Sequence, residues 1–380
     1  MRRLATLAVL TVLVVAGRAL AEAPPSLESL HMKAAIASED RQQIRQWLGP
    51  AVTNLAASTD VARRGMVEAR EDILAEGRQD AGRSPAFQQA FGEEAIAALQ
   101  DAAKKAVSQD ARLNIFMTVA GLRRLEGIPM LEEALVRDPY AASRYWAAKG
   151  LDLVADLVAE KNQPRIEQQM AESAEKALDA GPTDLAVLAL FEMLSKFDHE
   201  KAHDVLADGV SQYVQRAQAS DPVSVQVMMQ AITGLERAYS REVRPEAKAR
   251  ILSAYAMMAA WIMPPLADTN LLPSLNASLE KITGDRVAFS QTDEPVVQKL
   301  AMMEWVEKLV RDKRIAKRPP LPPAIEEAVK AYLAPGGAPV TPVPSPVPPP
   351  PDQPTPIPAP PDPRAGRTVY IPLAPPAPEK

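Results

Sequence analysis

Asp138-Pro139-Tyr140-Ala141-Ala142-Ser143-Arg144-Tyr145-Trp146-Ala147-Ala148-Lys149-Gly150-Leu151, with its continuation to Ala159, decides the fold class. Apolar or small residues fall at Ala142, Tyr145, Trp146, Ala148, Leu151, Val154, Ala155 and Val158. That is the i, i+3, i+4, i+7 spacing of one helix face. The same spacing recurs within 59–77 (Val61, Ala62, Met66, Ala69, Ile73, Leu74) and within 111–126 (Leu113, Phe116, Met117, Ala120, Leu122, Leu125). It predicts further helices at 163–180, 182–197, 199–217, 222–239, 245–262 and 294–312. Glycine is sparse, and no stretch alternates apolar and polar long enough to make a strand. The chain therefore reads as all-α.

Turn signals separate these helices: Asp138-Pro139, Gly181-Pro182, Asp221-Pro222, Pro264-Pro265 and the run 318–323. The first three each open a strongly apolar helix and stand 43 and 40 residues apart. Pro at the first helical position after a capping Asp suits a helix start, and Asp110 and Asp293 open similar helices without the Pro. The stretch 138–151 resembles the second helix of a HEAT repeat: an Asp-Pro turn, then Arg144, then an Ala-Ala…Leu ridge. Its alanines fall one residue late, and Gln226 stands where the pattern after Asp221-Pro222 has an Arg. Glu175-Lys176-Ala177-Leu178-Asp179-Ala180-Gly181-Pro182 looks like a tetratricopeptide turn, but the 40–43 spacing favours HEAT-like pairs over a 34-residue unit. The resemblance spans about 105–315. It implies a curved α-solenoid whose concave face binds another protein or peptide, and it brings no catalytic residues.

Composition adds an address. Arg2 and Arg3, the apolar run Leu4 to Ala16 and Ala19-Leu20-Ala21 form the three regions of a cleavable secretory signal, residues 1–21. At about 13 residues the run is short of a bilayer span. The expected address is therefore outside the bacterial cytoplasm, periplasmic or extracellular, with no integral membrane span after cleavage. The formal charge is −5, and losing three arginines with the leader makes the remainder more acidic. That argues against nucleic acid as partner. There are no cysteines, so neither disulfides nor thiolate chemistry is available. From Pro335 to Lys380, 19 of 46 residues are Pro. Such a segment cannot repay the entropy of folding. The expected organisation is a signal (1–21), a less regular N-terminal helical capping region (22–108), HEAT-like repeats (109–333) and a disordered Pro-rich tail (334–380).

One motif points elsewhere. His199-Glu200-Lys201-Ala202-His203 matches H-E-x-x-H, in which two histidines at i, i+4 bind Zn²⁺ and the Glu activates its water. At 100° per residue His199 lies about 20° and His203 about 60° from the apolar direction of Leu206, so both lean inward while Glu200 faces solvent. Against a metal centre, Asp198 reads as the N-cap, which puts His199 at the very start of its helix, and Lys201 adds a charge inside the motif. No third ligand sits at a familiar spacing: Gly209 lies six beyond His203, His31 is remote, and Glu236 or Glu242 would have to serve from the next helix. A pair of half-buried histidines partnered by Asp198 or Asp204 is the simpler expectation, with no cofactor.

Other features have plain readings. Met257, Met258, Trp261, Ile262, Met263, Met302, Met303 and Trp305 read as core before they read as a soft peptide groove. The basic run Arg311-Asp312-Lys313-Arg314 with Lys317 and Arg318 complements a helix end. Pro319-Pro320-Leu321-Pro322-Pro323 resembles a ligand of proline-binding domains and reads as a rigid connector. Asn276-Ala277-Ser278 is a glycosylation sequon by pattern. The function expected from all this is a non-catalytic interaction scaffold of the cell envelope. The rivals are a zinc hydrolase built on His199, Glu200 and His203, and a structural protein tethered by its tail.

Overall fold

The computed structural model describes residues 24–57, 63–78, 82–216, 224–261, 271–285, 287, 295–323, 325–327 and 330. The chain divides into two units, Met1–Val329 and Lys330–Lys380. All that follows concerns the first. The expected signal (1–21) and Pro-rich tail (334–380) lie outside the described residues, as do Asp221-Pro222, Pro264-Pro265 and Asp293.

The described residues form thirteen α-helices and no strand. These are α1 (Ser38–Leu55), α2 (Arg63–Gly77), α3 (Pro85–Lys105), α4 (Gln109–Leu122), α5 (Ile128–Arg137), α6 (Ala141–Glu160), α7 (Pro164–Asp179), α8 (Asp184–Leu194), α9 (Glu200–Arg216), α10 (Val225–Arg241), α11 (Pro245–Trp261), α12 (Leu271–Thr283) and α13 (Pro295–Arg311). None is long and apolar enough to cross a membrane. Segment 22–108, expected to be less regular, holds α1, α2 and α3, which are as long as the helices that follow.

Local chemistry sets the helix starts. The Ser84 hydroxyl accepts the Phe87 N–H at 3.2 Å ahead of Pro85, and the Ser108 hydroxyl accepts that of Ala111 at 3.1 Å. Two sequence expectations are corrected here. Ser108, not Asp110, caps α4. Asp138-Pro139 lies before α6 rather than inside its first turn. Asp138 is 3% exposed. Its Oδ1 accepts the Tyr140 N–H at 3.0 Å, its Oδ2 takes Arg112 Nε and Nη2 from α4, and its carbonyl accepts Arg144 Nη1 at 2.7 Å. The Asp-Pro corner is a tie between helices. Gly181, at φ +71°, closes α7 in the left-handed conformation that glycine tolerates.

Packing follows an every-other-helix rule. Each of α2, α4, α6, α8 and α10 contacts the next even-numbered helix, ending at α12. In the second row α5, α7, α9, α11 and α13 do the same, and α1 contacts α3. Where the second row passes from α3 to α5, the 3-10 turn Leu125–Gly127 touches α3, α5 and α6. Successive helices also touch across the rows, and one continuous apolar cluster runs from Leu27 to Ile315. Tyr255 joins three helices. Buried on α11, it donates to the Ile232 carbonyl of α10 at 3.0 Å and meets the Ser278 hydroxyl of α12 at 2.7 Å.

Several polar ties join neighbours in one row at similar distances along the chain, beside others of the odd row at 26, 33 and 53 residues (Lys201–Glu175, Gln212–Asp179 and Arg41–Glu94). In the even row Arg70 reaches Asn114, Lys149 reaches Glu192, Lys196 reaches the Asp152 carbonyl and Lys281 reaches Glu236, at separations of 44, 43, 44 and 45 residues. In the odd row Gln169 reaches Glu132, Arg216 the Leu178 carbonyl and Lys299 the Ala259 carbonyl, at 37, 38 and 40 residues.

Where α4, α5 and α6 meet, close approach needs a small residue. A Cβ on Gly150 of α6 would stand 2.9 Å from Leu131 Cδ1 of α5 and 3.1 Å from the Ala120 Cβ of α4. Gly150→Leu is therefore expected to destabilise by about 1–3 kcal/mol through overpacking. Urea midpoints of the two proteins check this; an unchanged midpoint would mean that α4, α5 and α6 do not meet here.

Candidate functional site

The H-E-x-x-H residues sit at the turn from α8 into α9. Helix α8 ends at Leu194, Phe197 is driven into the core, and α9 begins at Glu200. His199 is thus the residue before the helix. Its N–H donates to Glu167 Oε2 at 3.1 Å and its Nδ1 accepts the Lys201 N–H at 3.1 Å. The expectation that Asp198 caps this helix is corrected. Asp198 is exposed and pairs with Arg241 at 2.9 Å, while the His199 ring takes the free helical N–H.

His203 is 2% exposed. Its partners are neither Asp198 nor Asp204, as expected, but Glu242 Oε2 at 3.0 Å from Nδ1 and the Phe197 carbonyl at 3.3 Å from Nε2. Glu242 closes α10 and is itself surrounded by donors: the Val243 and Arg244 N–H groups, both at 2.9 Å, and Arg244 Nε and Nη2 at 3.1 and 2.8 Å. The Arg244 guanidinium, with the backbone N–H groups and His203, holds this carboxyl far below the usual carboxylate range against the opposing cost of burial. Both ring nitrogens of His203 are thus engaged by acceptors within the protein. Glu200 is exposed and pairs with Arg244 at 3.3 Å. Asp204 meets Arg244 at 3.4 Å and Arg250 at 3.3 Å.

The arrangement is a charged latch that fastens the start of α9 to the turn between α10 and α11. Of the two acids considered as a third ligand, Glu242 is beside His203, whereas Glu236 pairs with Lys281 of α12. His31 lies among α2 and α3 residues, against Glu76 at 3.1 Å and the Phe87 ring. No group of three or more His, Asp or Glu side chains placed to hold a metal ion occurs among the described residues. The helix pattern could locate His203, but its partner lies 39 residues on and becomes legible only once α9 and α10 are aligned.

Glu242→Ala removes the buried carboxylate that faces His203 and Arg244 and is expected to cost about 3–5 kcal/mol. The sign with pH follows from the depressed carboxyl. Its stabilisation is complete above the unfolded value of 4.5 and is lost as pH falls toward the folded value. Denaturant midpoints should therefore separate the two proteins widely at neutral pH and less at strongly acid pH. A constant gap would show that the carboxylate does not supply the difference.

A second buried ionisable group stands on α13. Lys299 is 1% exposed and donates to the carbonyls of Ala259 and Ala260, the end of α11, at 2.6 and 2.5 Å. Burial moves its ammonium down to about 7 from an ordinary 10.5. Between those values the unfolded chain binds more protons than the folded one, so stability rises with pH across that window. Relative to Lys299→Met, the native protein should gain stability from about pH 7 to pH 10. Parallel pH series of thermal midpoints would contradict this.

The remaining sequence-marked residues are structural. Met257, Met258, Met302, Met303 and Trp305 are buried, as expected of core, while Ile262 and Met263 lie outside the described residues. Asn276 sits on α12 with both ends of its amide bonded to the Val287 backbone, at 3.2 and 3.0 Å. Lys313, Lys317 and Arg318 are exposed beyond α13. Comparison with protein-family models, with curated proteins and with solved structures finds no match to this chain.

Proposed function

We propose that this protein is a non-catalytic interaction scaffold of the bacterial cell envelope, built as a HEAT-like α-solenoid. The observation that carries the reading is the every-other-helix packing in two rows, with several polar ties between row neighbours at 37–45 residues. That interval suits HEAT-like helix pairs and exceeds the 34 residues of a tetratricopeptide unit. An array of this kind offers an extended helical face to another envelope protein or peptide. Export by the leader 1–21 and a reaching tail at 334–380 belong to the same proposal, as does the absence of a cofactor. Engagement of both His203 nitrogens supports reading the H-E-x-x-H match as a latch rather than as a hydrolase centre.

The test is zinc content together with partner capture. Native protein and a His199→Ala variant, dialysed against trace zinc, are expected to carry far less than one zinc per chain and to be alike. Stoichiometric zinc lost in the variant would replace the scaffold with the hydrolase reading. Partners captured from envelope extract should survive deletion of 335–380. Losing all of them would favour a tail-tethered structural protein instead.

A further inference from the structure

The run 318–323 does more than connect. Proline fixes its own φ and bars the preceding residue from the helical region. Prolines at 319, 320, 322 and 323 therefore hold residues 318–322 near an extended, polyproline II course. Such a segment has few N–H groups and offers its partner ring faces and carbonyls. Trp261, the last residue of α11, meets it in those terms. Its indole Nε1–H donates to the Pro320 carbonyl at 3.0 Å, and the indole, half-buried, packs against the core. Pro319 is buried, Leu321 is partly buried on the same core, and Ile325 is 4% exposed. At the other end Arg318 Nη1 meets Glu307 Oε1 of α13 at 3.0 Å. An indole donor on a proline carbonyl, apolar seats for alternate residues and a carboxylate for a flanking arginine are the parts by which aromatic grooves read proline-rich ligands. The Arg–Glu pair also fixes the direction of a ligand whose two ends otherwise look alike.

We propose that the end of α11 and the adjoining side of α13 form a polyproline-binding groove, occupied here by the chain's own 318–323 and able to take an Arg-Pro-Pro segment of a partner protein in its place. The internal ligand is held loosely enough to exchange. The indole bond is exposed, and the Arg318–Glu307 pair is about half exposed on both sides, the kind of ion pair that adds little. Only Pro319 is fully seated. Arg-Pro-Pro occurs once in the chain, at 318–320, so the competing segment comes from another protein. The inference deepens the scaffold reading by naming a partner class. Because its test reads one tryptophan, a negative result leaves that reading standing.

The test uses the full-length chain with fluorine-labelled tryptophan, the Trp261 signal being assigned with Trp261→Phe. The probe is a synthetic peptide of residues 318–323. A release variant carries Pro319→Ser, Pro320→Ser and Leu321→Ser. A tethered ligand acts at roughly millimolar effective concentration, so the release variant should bind the peptide at least about tenfold more tightly than the native chain. Adding Glu307→Gln should weaken that peptide and leave a peptide with Arg318→Ala unaffected. A release variant with intact helical circular dichroism whose Trp261 signal stays still at about millimolar peptide overturns the proposal. So does peptide binding, followed by calorimetry, that persists unchanged in Trp261→Phe. If the release variant does not fold, the native chain decides: excess peptide should shift the Trp261 signal, and a stationary signal overturns the proposal.

Discussion

Each inner helix of this protein must bury two faces at once, and the rest of the structure answers to that constraint. Helix α6 touches α4 and α8 along its own row and α5 and α7 across the gap. Ala147, Ala148, Leu151, Val154, Ala155 and Val158 are all completely buried. A single apolar stripe would serve only one neighbour. Small residues, Gly150 among them, let the backbones approach on one side while leucine and valine fill the other. With no cysteines to staple the chain, this seam is the source of cohesion. A fully buried Leu or Val contributes about 1.5–3 kcal/mol, against roughly 0–1 for an exposed ion pair.

Charged groups then have a different task. Apolar seams of alanine and leucine are poorly selective about register, because one turn looks much like the next. Buried polar contacts are selective, since a slip strands a charge. Asp152, 1% exposed, lies between Lys149 of its own helix and Lys196 beyond α8, at 2.7 and 2.9 Å. Asp138 does the same between α4 and the start of α6, and Glu242 between α9 and α11. Each of these ties fixes a meeting of helices by a contact that tolerates little displacement.

This division explains what the sequence discloses. The apolar period is written into consecutive residues, so the α6 and α7 helices and the start of α11 at Pro245 are legible. Helix α10 begins at Val225 rather than 222, because Ser224 supplies the cap that Pro222 lacks. Helices α1, α3, α5 and α12 fall outside the sequence reading, and α5 is hard to see because it is ten residues long and opens from a 3-10 turn without a capping side chain. The latch is legible only by half. His203 leans inward by its helical angle, but Glu242 becomes its partner through alignment of α9 with α10, which no local pattern encodes. Lys299 is invisible for the same reason: its two carbonyl acceptors belong to the end of α11, and nothing within α13 marks one lysine as buried.

The location of binding chemistry follows from the same economy. The buried ionisable groups of the latch and of α13 are committed to neighbours: both nitrogens of His203, both carboxylate oxygens of Glu242 and the side-chain nitrogen of Lys299 carry structural contacts. Groups free to meet another molecule are therefore sought where the every-other-helix rule ends. At α11 and α13 the last of the thirteen described helices meet the irregular, proline-rich segment 318–323. There the fold holds an extended strand of its own chain by one indole hydrogen bond, one seated proline and one exposed ion pair. A helix docked in that place would bury a whole apolar face and stay. A polyproline segment buries little and lacks most of its backbone donors, so its hold is weak and specific at once, as exchange for another ligand requires.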